Sequence, residues 1–214
     1  MKNEQIIDFY GASHPELFEI ERRCMDRPGK VIDYLNLNLP NGTVIDIGAG
    51  NGYTSEKLNK KDRLVLPMEP DDHMIDINKN LAWIKGTAQQ IPFHDNSLDA
   101  AYATWAFFFS GMKGVDEGVR EAERVIRPGG KFIIVDNYGD DEFTSLSPSP
   151  GPLSSSVDFW KERGFDYELI HTTFSFDSIA EARKLLSFYF EERGMEVSKR
   201  EFEYKVVIYS KTIN

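Results

Sequence analysis

The chain is poor in cysteine, because Cys24 is the only one among its 214 residues. A single thiol excludes an intramolecular disulfide and a metal site built from several thiolates, and we predict no metal site. Long apolar runs are also missing, since no stretch approaches the roughly 18 apolar residues of a membrane span. The first eight residues carry acids where a signal peptide has an apolar core. We therefore expect a cytoplasmic protein that does not bind membranes.

Positive charge is in deficit as well. The chain has 25 lysines and arginines against 35 acidic residues, which gives a formal net charge of −10. A surface of this sign repels phosphate backbones and anionic lipids, so we predict no nucleic-acid partner and expect a small-molecule substrate. Composition gives no indication of the oligomeric state.

A glycine-rich turn follows the first predicted strand. Gly48, Gly50 and Gly52 lie between a strand at 44–47 and a helix at 53–60. Residues without a Cβ atom adopt positive φ easily and let a ligand approach the backbone, while the first amides of the following helix are unpaired donors. The pattern predicts a nucleotide-binding loop. A turn that merely packs a helix against a sheet is the alternative.

Two acids lie near the ends of the first two strands. Asp46 supplies an acceptor for a polar or cationic ligand group. Glu69 ends a second predicted strand at 63–69 and follows Gly50 by 19 residues, close to the interval of about 20 at which an acid accepts from ribose hydroxyls. We predict that Glu69 binds a ribose, the alternative being a solvated loop acid. Pro67 is awkward within this strand because it lacks an N–H group.

Further candidates follow at the same predicted sheet edge. After a helix at 72–79 and a strand at 81–84, Thr87, Ala88 and Gln89 are expected at the carboxyl ends of the strands, where open α/β sheets bind ligands. They are predicted to reach an adenine ring. Thr104 ends the next strand, at 98–104, and joins the predicted site.

The ordered motifs resemble those of a class I S-adenosylmethionine-dependent methyltransferase of the broad small-molecule group. The resemblance spans residues 44–136. It rests on the segments 44–52, 69–70, 86–93, 95–99 and 123–131.

The resemblance implies a single Rossmann-like domain of three αβα layers. Its sheet would have seven mostly parallel strands, with the last strand, at 199–211, antiparallel. We expect one domain over 1–214, comprising a helical cap at 1–41, a cofactor-binding core at 42–136, a candidate lid loop at 137–152 and the rest of the sheet at 153–214.

The resemblance also implies a cofactor, S-adenosylmethionine, and a product, S-adenosylhomocysteine. The methionine part would lie along Gly48, Ala49 and Gly50, with the ribose on Glu69. Adenine would lie against Pro70, Thr87, Ala88 and Gln89. Family members often carry Asp where this chain has Thr87, so a hydroxyl would replace a carboxylate near the adenine amino group.

The acceptor pocket is predicted from aromatic and titratable residues. Trp105 opens the aromatic segment 105–109, and Tyr10, His14 and Tyr138 are the other pocket candidates. Methyl transfer from a sulfonium is an in-line displacement that mainly requires alignment, so no nucleophile is demanded. If a general base is used, the candidates by position are His14, Tyr10, Asp136, Tyr138 and His171.

Two other functions remain open from the sequence. An NAD(P)-dependent oxidoreductase also uses a glycine turn and an acid on the second strand, but its Gly-x-Gly-x-x-Gly pattern requires glycine where this chain has Tyr53. The second alternative is a non-catalytic protein that binds S-adenosylmethionine.

Overall fold

A computed structural model describes residues 10–147 and 156–214. The helices are α1 (Pro15–Cys24), α2 (Lys30–Asn38), α3 (Tyr53–Leu58), α4 (Val115–Val125), α5 (Val157–Lys161) and α6 (Ile179–Met195), and the strands are β1 (Gly42–Ile47), β2 (Arg63–Met68), β3 (Leu98–Thr104), β4 (Ile126–Asn137), β5 (Asp166–Ser175) and β6 (Glu201–Thr212). Within the described ranges, no helix combines the length and the apolar character that crossing a membrane requires.

The strands form one mixed sheet in the order β2-β1-β3-β4-β6-β5. The strands β1 to β4 run parallel to one another, whereas β6 is antiparallel to both β4 and β5. Parallel pairing requires a crossover segment, and α4 supplies one between β3 and β4. The predicted Rossmann-like α/β fold with an antiparallel last strand is confirmed.

Side chains of the central strands alternate between two cores, one on each face of the sheet. In β1, Val44 belongs to a core shared with α1, α2 and α6. Its neighbour Ile45 belongs to a second core shared with α4 and α5. This period of two places a helical layer on each side of the sheet.

The prediction of seven strands is wrong for the described residues, which contain six. The predicted strand at 81–84 forms only one parallel bridge, from Ile84 to Met68. Ile84 donates its N–H to the Pro67 carbonyl at 2.8 Å, so that face of Pro67 points toward this segment. The N–H that proline lacks would point the same way, and one further ladder bond therefore has no donor.

The predicted helix at 72–79 is also wrong, because this segment forms successive turns. Asp71 Oδ1 accepts from the His73 amide at 2.9 Å, and Asp76 Oδ1 accepts from the Asn78 amide at 3.1 Å. Such short-range bonds from side chain to backbone compete with the helical ladder.

Parts of three other predictions lie outside the described residues. These are residues 1–9 of the predicted helical cap, residues 148–152 of the candidate lid loop and residues 153–155 at the start of the last predicted part. The described remainder of the loop contains a 3₁₀ turn at Thr144–Leu146.

Arg63, the first residue of β2, links the sheet to the end of α2 through hydrogen bonds. It is 1% exposed and donates to the carbonyls of Asn36, Leu39 and Pro40 and to the Asn36 side chain. The last carbonyls of a helix have no partner within the helix. Arg63 therefore satisfies several acceptors that its own burial removes from water.

We predict that Arg63→Met lowers the free energy of unfolding by roughly 2–4 kcal/mol, because the carbonyls of Asn36, Leu39 and Pro40 lose a buried donor. Urea denaturation measures this change. The control is Arg120→Met on the exposed face of α4, for which a change within about 0.5 kcal/mol is expected. Equal effects of the two substitutions would contradict the prediction.

Candidate functional site

A cavity lies at the carboxyl edge of β1, β2 and β3, with α1 forming one wall. Nine of the residues predicted from the sequence line it: Gly48, Ala49, Gly50, Glu69, Pro70, Thr87, Ala88, Thr104 and Trp105. These residues come from four separated segments. The parallel sheet brings them together because the carboxyl ends of its strands share one edge.

The glycine turn is shaped by backbone conformations that favour glycine. Gly48 has φ 72° and Gly50 has φ 55°. A Cβ atom at Gly48 would lie 2.6 Å from the Ala106 Cβ, too close for any ordinary contact. The Gly48 and Ala49 amides donate to the Met68 carbonyl at 2.9 and 3.1 Å, which holds the turn against the end of β2.

Glu69 is clamped by two backbone amides at the wall of the cavity. Its Oε2 accepts from the Gly50 amide at 2.8 Å, and its Oε1 accepts from the Asp71 amide at 3.0 Å. Burial raises the pKa of this carboxyl, which is 7% exposed, while the two amide bonds act in the opposite direction. Each carboxylate oxygen has two lone-pair sites, so both can accept a further donor such as a ribose hydroxyl.

Asp46 does not line the cavity, in contrast to its predicted contact with a ligand. The side chain is 0% exposed, and its Oδ2 accepts from the hydroxyls of Thr54 at 2.8 Å, Ser55 at 2.6 Å and Tyr102 at 2.9 Å. Asp46 therefore joins β1 to the first turn of α3 and to β3. Burial raises the pKa of this carboxyl, and the three hydroxyl bonds oppose that shift.

Known proteins match this fold and this sequence. The family model for a methyltransferase domain matches residues 45–134. An uncharacterized methyltransferase of Mycobacterium tuberculosis is 32% identical over 125 residues, which cover 56% of this chain and 50% of the relative. A ubiquinone/menaquinone biosynthesis C-methyltransferase of Rickettsia felis is 29% identical over 201 residues, covering 84% of this chain and 76% of the relative. These matches support the predicted resemblance to the class I S-adenosylmethionine-dependent methyltransferases.

The fold of this chain agrees with solved structures of methyltransferases. An S-adenosylmethionine-dependent methyltransferase from Thermotoga maritima superposes with a TM-score of 0.60 at 19% identity, covering 95% of this chain and 100% of the other. This likeness concerns the fold. The chain spans about half the length of the mycobacterial relatives that it matches.

The N-terminal candidates lie beside the cavity and do not line it. Tyr10 donates its hydroxyl to Glu21 and accepts from the Tyr189 hydroxyl at 2.8 Å. Burial, followed by the negative charge of Glu21, raises the pKa of Tyr10, so its hydroxyl stays protonated at neutral pH. His14 is exposed, and its ring contacts Phe188 with 5.2 Å between ring centroids.

Four other predicted residues also lie outside the cavity lining. The Gln89 side chain lies beside Gly114, away from the lining formed by its neighbour Ala88. Tyr138 packs half-buried against the second core. His171 is exposed on β5, with Nδ1 3.7 Å from Glu203. Asp136 is buried in β4.

The aromatic segment 105–109 divides between cavity and core. Trp105, Phe107 and Phe109 line the cavity. Phe108 is fully buried and packs its ring against that of Phe132. Trp105 has φ 47°, a left-handed conformation that is uncommon for a side chain of this size.

Sequence reasoning missed the wall that α1 supplies. Phe18, Glu21 and Arg22 line the cavity. With Met25 they follow the spacing i, i+3, i+4, i+7, which places them on one face of a helix. The signal available in the sequence was the pair of charged residues, Glu21 and Arg22, at positions where a buried helix face has apolar residues.

We predict that the Asp46→Asn variant becomes more stable relative to the wild type as the pH rises from about 4 to 7. A carboxyl whose folded-state pKa is raised binds more protons in the folded than in the unfolded state, so the wild type loses stability as the pH rises above the unfolded value of about 3.9. The amide does not titrate. Urea denaturation at several pH values measures the difference.

Asp33→Asn, at an exposed position of α2, is the control, and its difference from the wild type should stay flat. A flat difference for Asp46→Asn as well would contradict the inferred shift.

Proposed function

We propose that this chain transfers the methyl group of S-adenosylmethionine to a small-molecule acceptor by direct in-line displacement. The observation that carries the proposal is the Glu69 carboxylate, held by the Gly50 and Asp71 amides beside the glycine turn. An acceptor pair in this position suits the two hydroxyls of a ribose.

The residues around Glu69 fit the remaining parts of the cofactor. Pro70 and Ala88 offer apolar surface to an adenine ring, and the Thr87 hydroxyl can donate or accept beside it. Gly48, Ala49 and Gly50 leave room for the methionine part, and Thr104 closes the floor at the end of β3. We assign Asp46 a positioning role, because it fixes the helix that follows the turn. Gln89 is left out of this assignment since it lies beside Gly114.

S-adenosylmethionine, when bound, supplies a methyl group already activated on a sulfonium. The chain's own task is then to align the acceptor and to exclude water. Phe18 from α1 and the rings of Trp105, Phe107 and Phe109 form the aromatic part of the cavity lining. This aromatic wall supports an acceptor with apolar surface. No general base is assigned, because Tyr10 and His14 do not line the cavity.

The small-molecule class of acceptor has two further supports. The negative net charge of −10 disfavours nucleic acid. The Rickettsia felis relative is named for ubiquinone/menaquinone biosynthesis, which involves small molecules.

We predict that Glu69→Ala weakens the binding of S-adenosylhomocysteine by roughly 1–3 kcal/mol, because two acceptor oxygens for the ribose are lost. Isothermal titration calorimetry measures the change. Glu19→Ala, on the exposed face of α1, removes the same charge away from the cavity and should leave the affinity unaltered. Thermal unfolding of both variants checks that the glycine turn has not collapsed. Unaltered affinity in folded Glu69→Ala would remove this residue from the site.

The same titrations test the choice of cofactor. Binding of NAD without binding of S-adenosylmethionine or S-adenosylhomocysteine would overturn the proposed function. Incubation with S-adenosylmethionine and the small-molecule fraction of a cell extract should yield S-adenosylhomocysteine. Binding with persistent absence of turnover would favour a non-catalytic protein.

A further inference from the structure

Arg22 presents an unusual cation to the cavity. Its guanidinium carbon lies 5.5 Å from the centroid of the Phe18 ring and 5.3 Å from that of Trp105. All three residues line the cavity. Phe18 and Arg22 are four positions apart on α1, which places them on the same face of the helix. The two aromatic faces hold the charged group in place by cation–π attraction.

The donors of this guanidinium are poorly satisfied. Over the described residues, its hydrogen-bond partner is the Met25 thioether, 3.1 Å from Nη2, and the buried Nε has none. A thioether is a weak acceptor. The adjacent Arg23 contrasts with this, since it pairs with both Asp177 and Glu181. Burial raises the pKa of the Asp46 carboxyl and the charge of Arg22 acts to lower it, but over the described residues no carboxylate forms a salt bridge with the guanidinium. A ligand carboxylate would supply the missing partner for this partly buried cation.

We propose that Arg22 is a binding residue of the cavity that recognises a carboxylate of the ligand. A guanidinium offers five donors in a planar fork, and a carboxylate accepts two of them side by side. Such a ligand would pair the buried Nε together with one Nη group. The rings of Phe18 and Trp105 already restrict the orientation of the fork, so little further ordering is needed.

The geometry favours the carboxylate in the methionine part of S-adenosylmethionine as the group that Arg22 recognises. This assignment rests on the proposed function. The tip of the Phe18 ring lies 3.4 Å from where a Cβ atom of Gly50 would be. The face of α1 that carries Arg22 therefore adjoins the turn along which the methionine part is proposed to lie. An acidic acceptor is the other source of the same chemistry, because Arg22 also contacts Trp105 in the aromatic wall.

The test compares two ligands that differ in the amino-acid part. S-adenosylhomocysteine carries the carboxylate, whereas 5′-methylthioadenosine keeps the adenosine and the thioether without it. In calorimetric titrations, Arg22→Gln should weaken the binding of S-adenosylhomocysteine about tenfold to a hundredfold, and that of 5′-methylthioadenosine by less than about twofold. Arg22→Lys keeps the charge and loses the planar fork of donors, so its affinity for S-adenosylhomocysteine should lie between those of the wild type and Arg22→Gln.

The matched control is Arg120→Gln, which removes an exposed arginine of α4 and should change neither affinity. Equal weakening of both ligands by Arg22→Gln would indicate a disturbed cavity and would overturn the proposal.

Benzoate serves as a probe for the other source of a carboxylate, an acidic acceptor. If Arg22→Gln leaves the binding of S-adenosylhomocysteine unchanged, benzoate titrated into the protein saturated with S-adenosylhomocysteine should bind the wild type and not the variant. This result would assign the recognised carboxylate to the acceptor. If Arg22→Gln changes the binding of neither S-adenosylhomocysteine nor benzoate, the proposal is overturned.

Failure of the proposed function gives a different pattern. In that case the wild type binds neither S-adenosylhomocysteine nor 5′-methylthioadenosine. Benzoate binding to the ligand-free protein then decides the matter alone. Its loss in Arg22→Gln upholds carboxylate recognition, and its absence from the wild type overturns it.

Discussion

A buried carboxylate beneath the glycine turn is the interaction on which the site depends. Asp46 lies in β1, and three hydroxyls from α3 and β3 converge on one of its oxygens. Removing a carboxylate from water is costly, and these bonds offset part of that cost. Because Asp46 precedes the turn in β1 and two of the hydroxyls belong to α3, which follows it, these bonds restrict where the turn and the first residues of α3 can lie. The turn places the Gly50 amide against Glu69, so the orientation of the Glu69 carboxylate depends on this chain of short contacts.

The cavity has two walls of different character. One is built from backbone and small residues at the ends of the parallel strands, where glycine leaves room for a ligand. The other is aromatic and carries the guanidinium of Arg22 between Phe18 and Trp105. In the proposed function, the first wall would bind the nucleoside of the methyl donor and the second wall an apolar or acidic group. In-line methyl transfer requires the two reactants to be held at a fixed distance, and the packing of α1 on the sheet would set that distance.

The predictable parts of the fold were those with a strong local signal. The core strands alternate between two buried faces with a period of two, and the turn glycines stand where positive φ is required. Prediction failed where single side chains removed or replaced the backbone hydrogen bonds of the expected element. Pro67 withholds a donor from the neighbouring segment, which leaves one bridge in place of a strand. Asp71 and Asp76 bind nearby amides and form turns in place of a helix.

The sequence by itself predicted that the glycine turn and Glu69 line one cavity. The glycine turn and Glu69 are 19 residues apart, and one βαβ unit brings them together whatever the rest of the chain does. Only the tertiary structure decided that Asp46 points into the interior and away from the cavity, because the direction of a strand side chain depends on which helices cover each face. It also decided that α1 lies over the cavity with Glu21 and Arg22 inward. That contact joins residues distant in the chain, and its packing energy is not readable from local spacing.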